Sequence, residues 1–179
     1  MALRIRKLPA AASAAYINLS LASDLELIRA VARDSMTLDL GFDLDAFRED
    51  LLDDHNKNQA IHALVSRSAN IDLLEERLQV PLANPLIRKI GLRHRFDSRG
   101  NSMVISTHDH SESGWAPFQA RPSLGNPVVA RLLGTKAPAV QYAEVVAVDE
   151  QGADVLFELV LDLNLLEAHF ADQNHSELR

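Results

Sequence analysis

The chain has 179 residues, 47% of them hydrophobic, a formal charge of -7 and no cysteine. That length and apolar content can fill a core without staples, and the missing cysteines exclude disulfides and thiolate metal sites, which suits a reducing cytoplasm. The acidic balance argues against a free-standing binder of duplex DNA, which needs a concentrated positive surface, and no run of about 18 apolar residues exists to span a membrane.

In chain order, the opening "MALRIRKLPAAASAAYINLSLAS" is too broken by Pro9, Asn18 and serines to read as a signal peptide. Ser23-Asp24-Leu25-Glu26 has the form of a capping box, which predicts a helix over about 24–34 with Leu25, Ile28, Val31 and Ala32 near one face. "MTLDLGFDLD" alternates around Gly41 as an extended segment or loop, after which Asp43 or Asp45 would cap a longer helix carrying Phe47, Leu51, Ile61, Leu64 and Val65. A third helix is expected from near Asn70, with Ile71, Leu74 and Leu78, until Pro81 ends it.

"ANPLIRKIG" and "GNPVVARLLG" share one device: asparagine as cap, proline at the first helical position and glycine at the exit. Both therefore predict brief helices. Two hairpins are expected in the second half, "LRHRF" with "SMVIST" around "DSRGN", and "AVQYAEVVAV" with "DVLFELVLDL" around "DEQGA". Alternation in the latter puts Val140, Tyr142, Glu144 and Val146 on one side and Ala143, Val145 and Ala147 on the other. "NLLEAHFADQ" closes as a helix and "NHSELR" reads as a frayed end. The fold class is α+β: a helical region, 1–82, with a possible helical hairpin, then an antiparallel β-rich region, 83–179, with short capped helices.

Three groups of residues carry chemistry. His108 and His110, an H-x-H pair with Asp109 and Glu112 close by, would suit zinc, iron or manganese and resemble the start of the metallo-β-lactamase pattern H-x-H-x-D-H, with Glu112 and Ser113 where that pattern has Asp and His. Asp50 and Asp53 would stand one turn apart on a helix face, where they could share Mg²⁺ with a partner that completes its shell. Charge is also divided along the chain. Residues 43–54 are strongly acidic, while Arg88, Lys89, Arg93, Arg95 and Arg99 gather against Asp97 alone and could meet a partner. His55 and His62, and the group Trp115, Pro117 and Phe118, read equally well as surface and as loop packing. The chain carries no G-x-S-x-G, P-loop or G-x-G-x-x-G motif.

Together these segments resemble the Gre family of bacterial transcript-cleavage factors. "NPVVARLLG" is similar to the family's helix S-P-x-A-x-A-L-L-G, the second hairpin to its closing strands, and "VISTHDHSESG" stands where the family has I-V-G-x-D-E-A-D. "IDLLEERL" is similar to the end of the second arm helix, and Asp50-Leu51 falls near the tip motif D-L-x-E-N. Asp53, Asp54 and Lys57 replace that motif's glutamate, its asparagine and the following tyrosine, and Gly41 interrupts the first arm. The resemblance implies a regulator that binds bacterial RNA polymerase through its secondary channel, with Asp50 and Asp53 brought to the catalytic Mg²⁺ and the basic group facing RNA or the channel rim. Cleavage activity is not implied by so altered a tip. The other readings are a cytoplasmic adapter, chaperone or immunity-type binding module, and a small metal-dependent enzyme built on His108 and His110.

Overall fold

The computed structural model describes residues 8–37, 69–95, 102–107, 122–132, 137–150 and 152–177. The first helix, α1 (Ala10–Ser20), was not anticipated. Its sequence "AAASAAYINLS" is rich in alanine, the best helix former, and Pro9 is preset for the residue before the first turn. A single residue, Leu21, joins it to α2 (Ala22–Asp34). The Leu21 N–H donates to Ile17 O and its carbonyl accepts from the Leu25 N–H, so one helix closes and the next opens without a loop.

That joint corrects the expected start of α2. The helix begins before Ser23, with Leu21 in the capping place and no side-chain cap, so Ser23 to Glu26 form part of the first turn. The expected buried face, Leu25, Ile28, Val31 and Ala32, is the one observed. The third helix, α3 (Ala69–Leu82), starts where the sequence suggests and runs one residue past Pro81. Asn84 Nδ2 donates to Asp24 Oδ2 at 2.8 Å and Arg77 Nη1 to Asp34 Oδ2 at 2.7 Å. Residues beyond the end of α3 thus meet the start of α2 while Arg77 meets its end, which makes the two helices antiparallel neighbours.

Both asparagine-proline segments are corrected, since neither forms a helix. Asn84 Oδ1 accepts the Leu86 N–H at 3.0 Å in a local turn, after which the chain runs straight into β1 (Ile87–Arg95). Asparagine before proline starts turns as readily as helices, and here strands on both sides take up the β1 backbone. In the other segment, Asn126 N donates to Ser123 O at 2.9 Å across a tight turn whose Gly125 has φ 80°. Only glycine enters that region without strain. "VVARL" then forms β3 (Val128–Leu132), as its paired β-branched valines favour.

The two hairpins are as expected: β1 pairs with β2 (Ser102–Thr107), and β4 (Ala139–Val148) with β5 (Asp154–Asp162). Gly152, φ 84°, completes the β4–β5 turn. The five strands are ordered β2-β1-β5-β4-β3 and every pairing is antiparallel. The side-chain alternation expected in β4 holds through Val146. A bulge between Val145 and Ala147 then shifts the register, and Ala147 packs with the main core instead of with Ala143 and Val145.

The helices cover one face of the sheet. Ile17, Leu25, Ile28, Leu74 and Leu78 meet Ile90, Leu92, Tyr142, Phe157 and Leu159 in one cluster, so the core joins the helical and β-rich regions. Each such side chain contributes about 1.5–3 kcal/mol by leaving water. The last helix, α4 (Leu163–Glu177), starts on Asp162, whose Oδ1 accepts the Leu165 N–H at 3.0 Å, and its Leu163 and Leu166 are buried. Burial works to raise the Asp162 pKa, but this bond and Arg88 outweigh it and hold the carboxyl below its usual range. The helix continues to Glu177, through residues expected to fray.

Candidate functional site

An open cleft of about 510 Å³ lies where α1, α2, β4 and the 123–126 turn converge. Glu26, Arg29 and Arg33 line it from one stripe of α2, Asn18 from the last turn of α1, Glu144 to Val146 from β4, and Leu124, Gly125 and Pro127 from the turn. Leu124 and Val145 form an isolated parallel bridge, which seats the turn on the edge of β4 beyond the start of β3.

A closed polar ring forms the wall of this cleft. Arg29 donates Nε to Glu144 Oε2 at 2.5 Å and Nη2 to Glu144 Oε1 at 2.9 Å. Nη2 also donates to Asn18 Oδ1. The Tyr142 hydroxyl donates to Glu144 Oε1 at 2.5 Å and accepts from Asn18 Nδ2 at 3.0 Å, while the same amide donates to Ala14 O at 2.9 Å. Glu144 is thus the shared acceptor of Arg29 and Tyr142, an arrangement strengthened by the arginine's charge. Burial, and then the neighbouring Glu144, push the Tyr142 pKa well above its ordinary value, and the hydrogen bonds to Glu144 raise that of Arg29. Tyr142 is therefore a neutral donor and Arg29 a permanent cation. The ring is a rigid support.

Farther along α2, Ser35 Oγ donates to Ala32 O at 2.6 Å, so it must accept from His94 Nε2–H, 2.9 Å away. Burial lowers the His94 pKa to about 4. The ring is neutral near pH 7 and fixes β1 to the end of α2. Tyr16 likewise ties α1 to α4, with its hydroxyl 3.2 Å from His169 Nδ1 and its ring edge-on to Phe170 at 4.4 Å.

The expected basic group is placed on β1, except Arg99, which lies outside the described residues. Arg95 makes a bidentate pair with Asp154, Nε–Oδ1 2.6 Å and Nη2–Oδ2 2.5 Å. Arg88 reaches Asp162 Oδ2 at 2.5 Å, and Arg93 lies against Glu158 with Nε 3.4 Å from Oε1. Lys89 is 2% exposed. These charges are turned toward partners within the sheet, where spacing alone suggested a basic flank. Burial raises the Glu158 pKa, and Arg93, Lys89 and Arg95 pull it back in part. Gln141, fully buried on the same face, has among the described residues a hydrogen-bond partner for neither Nε2 nor Oε1.

Asp50, Asp53, His55, His62, His108, Asp109, His110, Glu112, Trp115, Pro117 and Phe118 lie outside the described residues. Among the described residues no group of three or more His, Asp or Glu is placed to hold a metal ion, and no helix is long and apolar enough to cross a membrane. Comparison with protein-family models, with curated proteins and with solved structures gave no match. The residues of the cleft were missed from sequence because Arg29 and Glu144 stand 115 positions apart. The available signal was Glu144 itself, the one charged residue of a mostly apolar strand, on its Tyr142 side, which calls for a cationic partner.

Proposed function

We propose that the protein is a binding module for another protein and acts through the cleft beside α2. The supporting observation is the pairing of Leu124, 58% exposed on the 123–126 turn, with a groove lined by Glu26, Arg29, Arg33 and Glu144 and held in shape by the Arg29–Glu144 ring. An exposed apolar side chain beside preorganised charge is the anatomy of an interface anchor. This is the adapter or regulator class of function, in which contacts do the work.

RNA polymerase is the first partner to try on the strength of the Gre resemblance, in which an acidic segment lies between two antiparallel helices, although α2 and α3 themselves pack on the sheet. Under that reading Asp50 and Asp53 act on Mg²⁺ jointly with the polymerase, and cleavage stimulation is not required. Two experiments test the proposal. Immobilised protein should retain a partner from the cells that express it, and the double variant Arg33→Glu/Leu124→Asp should not; equal recovery by both, or none by either, removes the cleft as the working surface. Purified bacterial core polymerase should bind at micromolar concentration, and Asp50→Ala/Asp53→Ala should abolish any transcriptional effect. A polymerase that fails to bind removes that partner.

A further inference from the structure

We infer that the protein pairs with a second copy of itself: the outer edge of β3 joins the same edge of the copy, antiparallel about a two-fold axis at Ala130, and the two α1 helices meet across that axis. This self-pairing is independent of what enters the cleft.

In the order β2-β1-β5-β4-β3, the strand β3 closes one side of the sheet, and among the described residues no strand pairs with its outer edge. Such an edge is a row of main-chain donors and acceptors that fits an extended strand of any sequence. Chains that stay single guard it with proline, a bulge or several charges. β3, "VVARL", keeps unbroken register with β4 from Val128 to Leu132, holds no proline and has Arg131 as its one charge.

The charge around this edge selects a second copy. The chain carries -7, so two copies repel over much of their surface. α1 packs across β3, and its sequence "AAASAAYINLS" includes no charged residue. Ala11, Ala15 and Leu19, four positions apart and hence on one face of the helix, are turned away from the core, and Leu19 is 76% exposed. A helix this uniformly apolar is expected to be covered on every side. The two-fold axis of an antiparallel ladder stands perpendicular to the sheet, so both α1 helices fall on the same side of the joined sheets, next to the axis. Strand edge and helix face are then covered together, each by its own counterpart.

Ala130 is the middle residue of β3, so a register centred on it overlaps all five residues of the strand. It also sets Arg131 opposite Val129 of the copy, which keeps the two cations from facing each other. Under the protein-binding reading, the pair carries one cleft on each side of the axis, and two linked sites hold a two-site partner more tightly than one does.

Sedimentation of the purified full chain at micromolar concentration should give twice the mass of 19.8 kDa. Ala15→Glu/Leu19→Glu changes two exposed side chains, should keep the fold by circular dichroism, and should weaken pairing at least tenfold. Arg77→Gln, on α3, should leave pairing unchanged. The chain has no cysteine, so Ala130→Cys supplies a single thiol. Residues opposite each other in an antiparallel ladder have Cα atoms about 4.5–5.5 Å apart, within the span of a disulfide. Mild oxidation should therefore join Ala130→Cys into a covalent dimer and leave Gln79→Cys, exposed on α3, uncoupled. Self-pairing is overturned if the chain sediments as a monomer, if Ala15→Glu/Leu19→Glu pairs as well as the wild type does, or if Ala130→Cys couples no better than Gln79→Cys. A monomer that still retains a partner through Arg33 and Leu124 would reject the pairing and leave the cleft reading standing.

Discussion

On the helix side of the sheet, the Arg29–Glu144 pair stands at the margin of an apolar core and opens onto a cleft. On the opposite side, Arg93, Arg95, Glu158 and Asp154 lie among Ala143, Val145 and Leu156, with Gln141 close by. The first arrangement ties Arg29, Asn18, Tyr142 and Glu144 into one ring at the rim of that cleft. The second uses its charges to hold β1 to β5. A run of basic residues in sequence therefore became internal wiring, whereas scattered residues of ordinary appearance built the accessible surface.

The largest test of this contrast is Asp154→Ala. It strands Arg95, 9% exposed at its side chain, and should cost about 3–5 kcal/mol in denaturant unfolding. A cost under 1 kcal/mol would mean that the pair does not fasten the strands. The helix side has its own weak point in acid. His94 titrates near 4 in the folded chain against 6.5 when unfolded. Its protonated form is thus disfavoured by folding, and the stability it contributes is complete above about pH 6.5 and is lost as pH falls through 4. Wild type should lose roughly 3 kcal/mol more between pH 7 and pH 4 than His94→Gln does. An equal loss in both would assign acid lability to other groups.

Glu144→Ala should cost roughly 2–3 kcal/mol, less than Asp154→Ala because the pair is partly exposed and Arg29 can turn to water. The smallest change is a gain. Gln141→Met replaces a buried amide without partners among the described residues by an apolar chain of similar size and should raise stability by about 1–2 kcal/mol. A loss on that substitution would point to a polar contact made by Gln141.

Where the controlling interactions are local, the sequence was readable. The apolar spacing of α2 and the turn chemistry of "DEQGA" gave the right elements, since each is decided within a few residues. The asparagine-proline segments were misread because a capping signal within about nine residues cannot report that Ile87, Ile90 and Val129 have strand partners waiting elsewhere. Helix α1 was missed because alanine-rich composition gives little periodicity to follow. The cleft depends on α1, α2, β4 and a turn meeting in space, so only the isolated carboxylate of Glu144 hinted at it.

The strand order has a bearing on biosynthesis. The middle position of the sheet belongs to β5, the last of the five strands to leave the ribosome. Until it arrives, β1–β2 and β3–β4 are two separate ribbons with exposed inner edges, a state open to chaperones and to aggregation. A stop codon just before Asp154 should yield insoluble product, although it removes none of the residues that line the cleft.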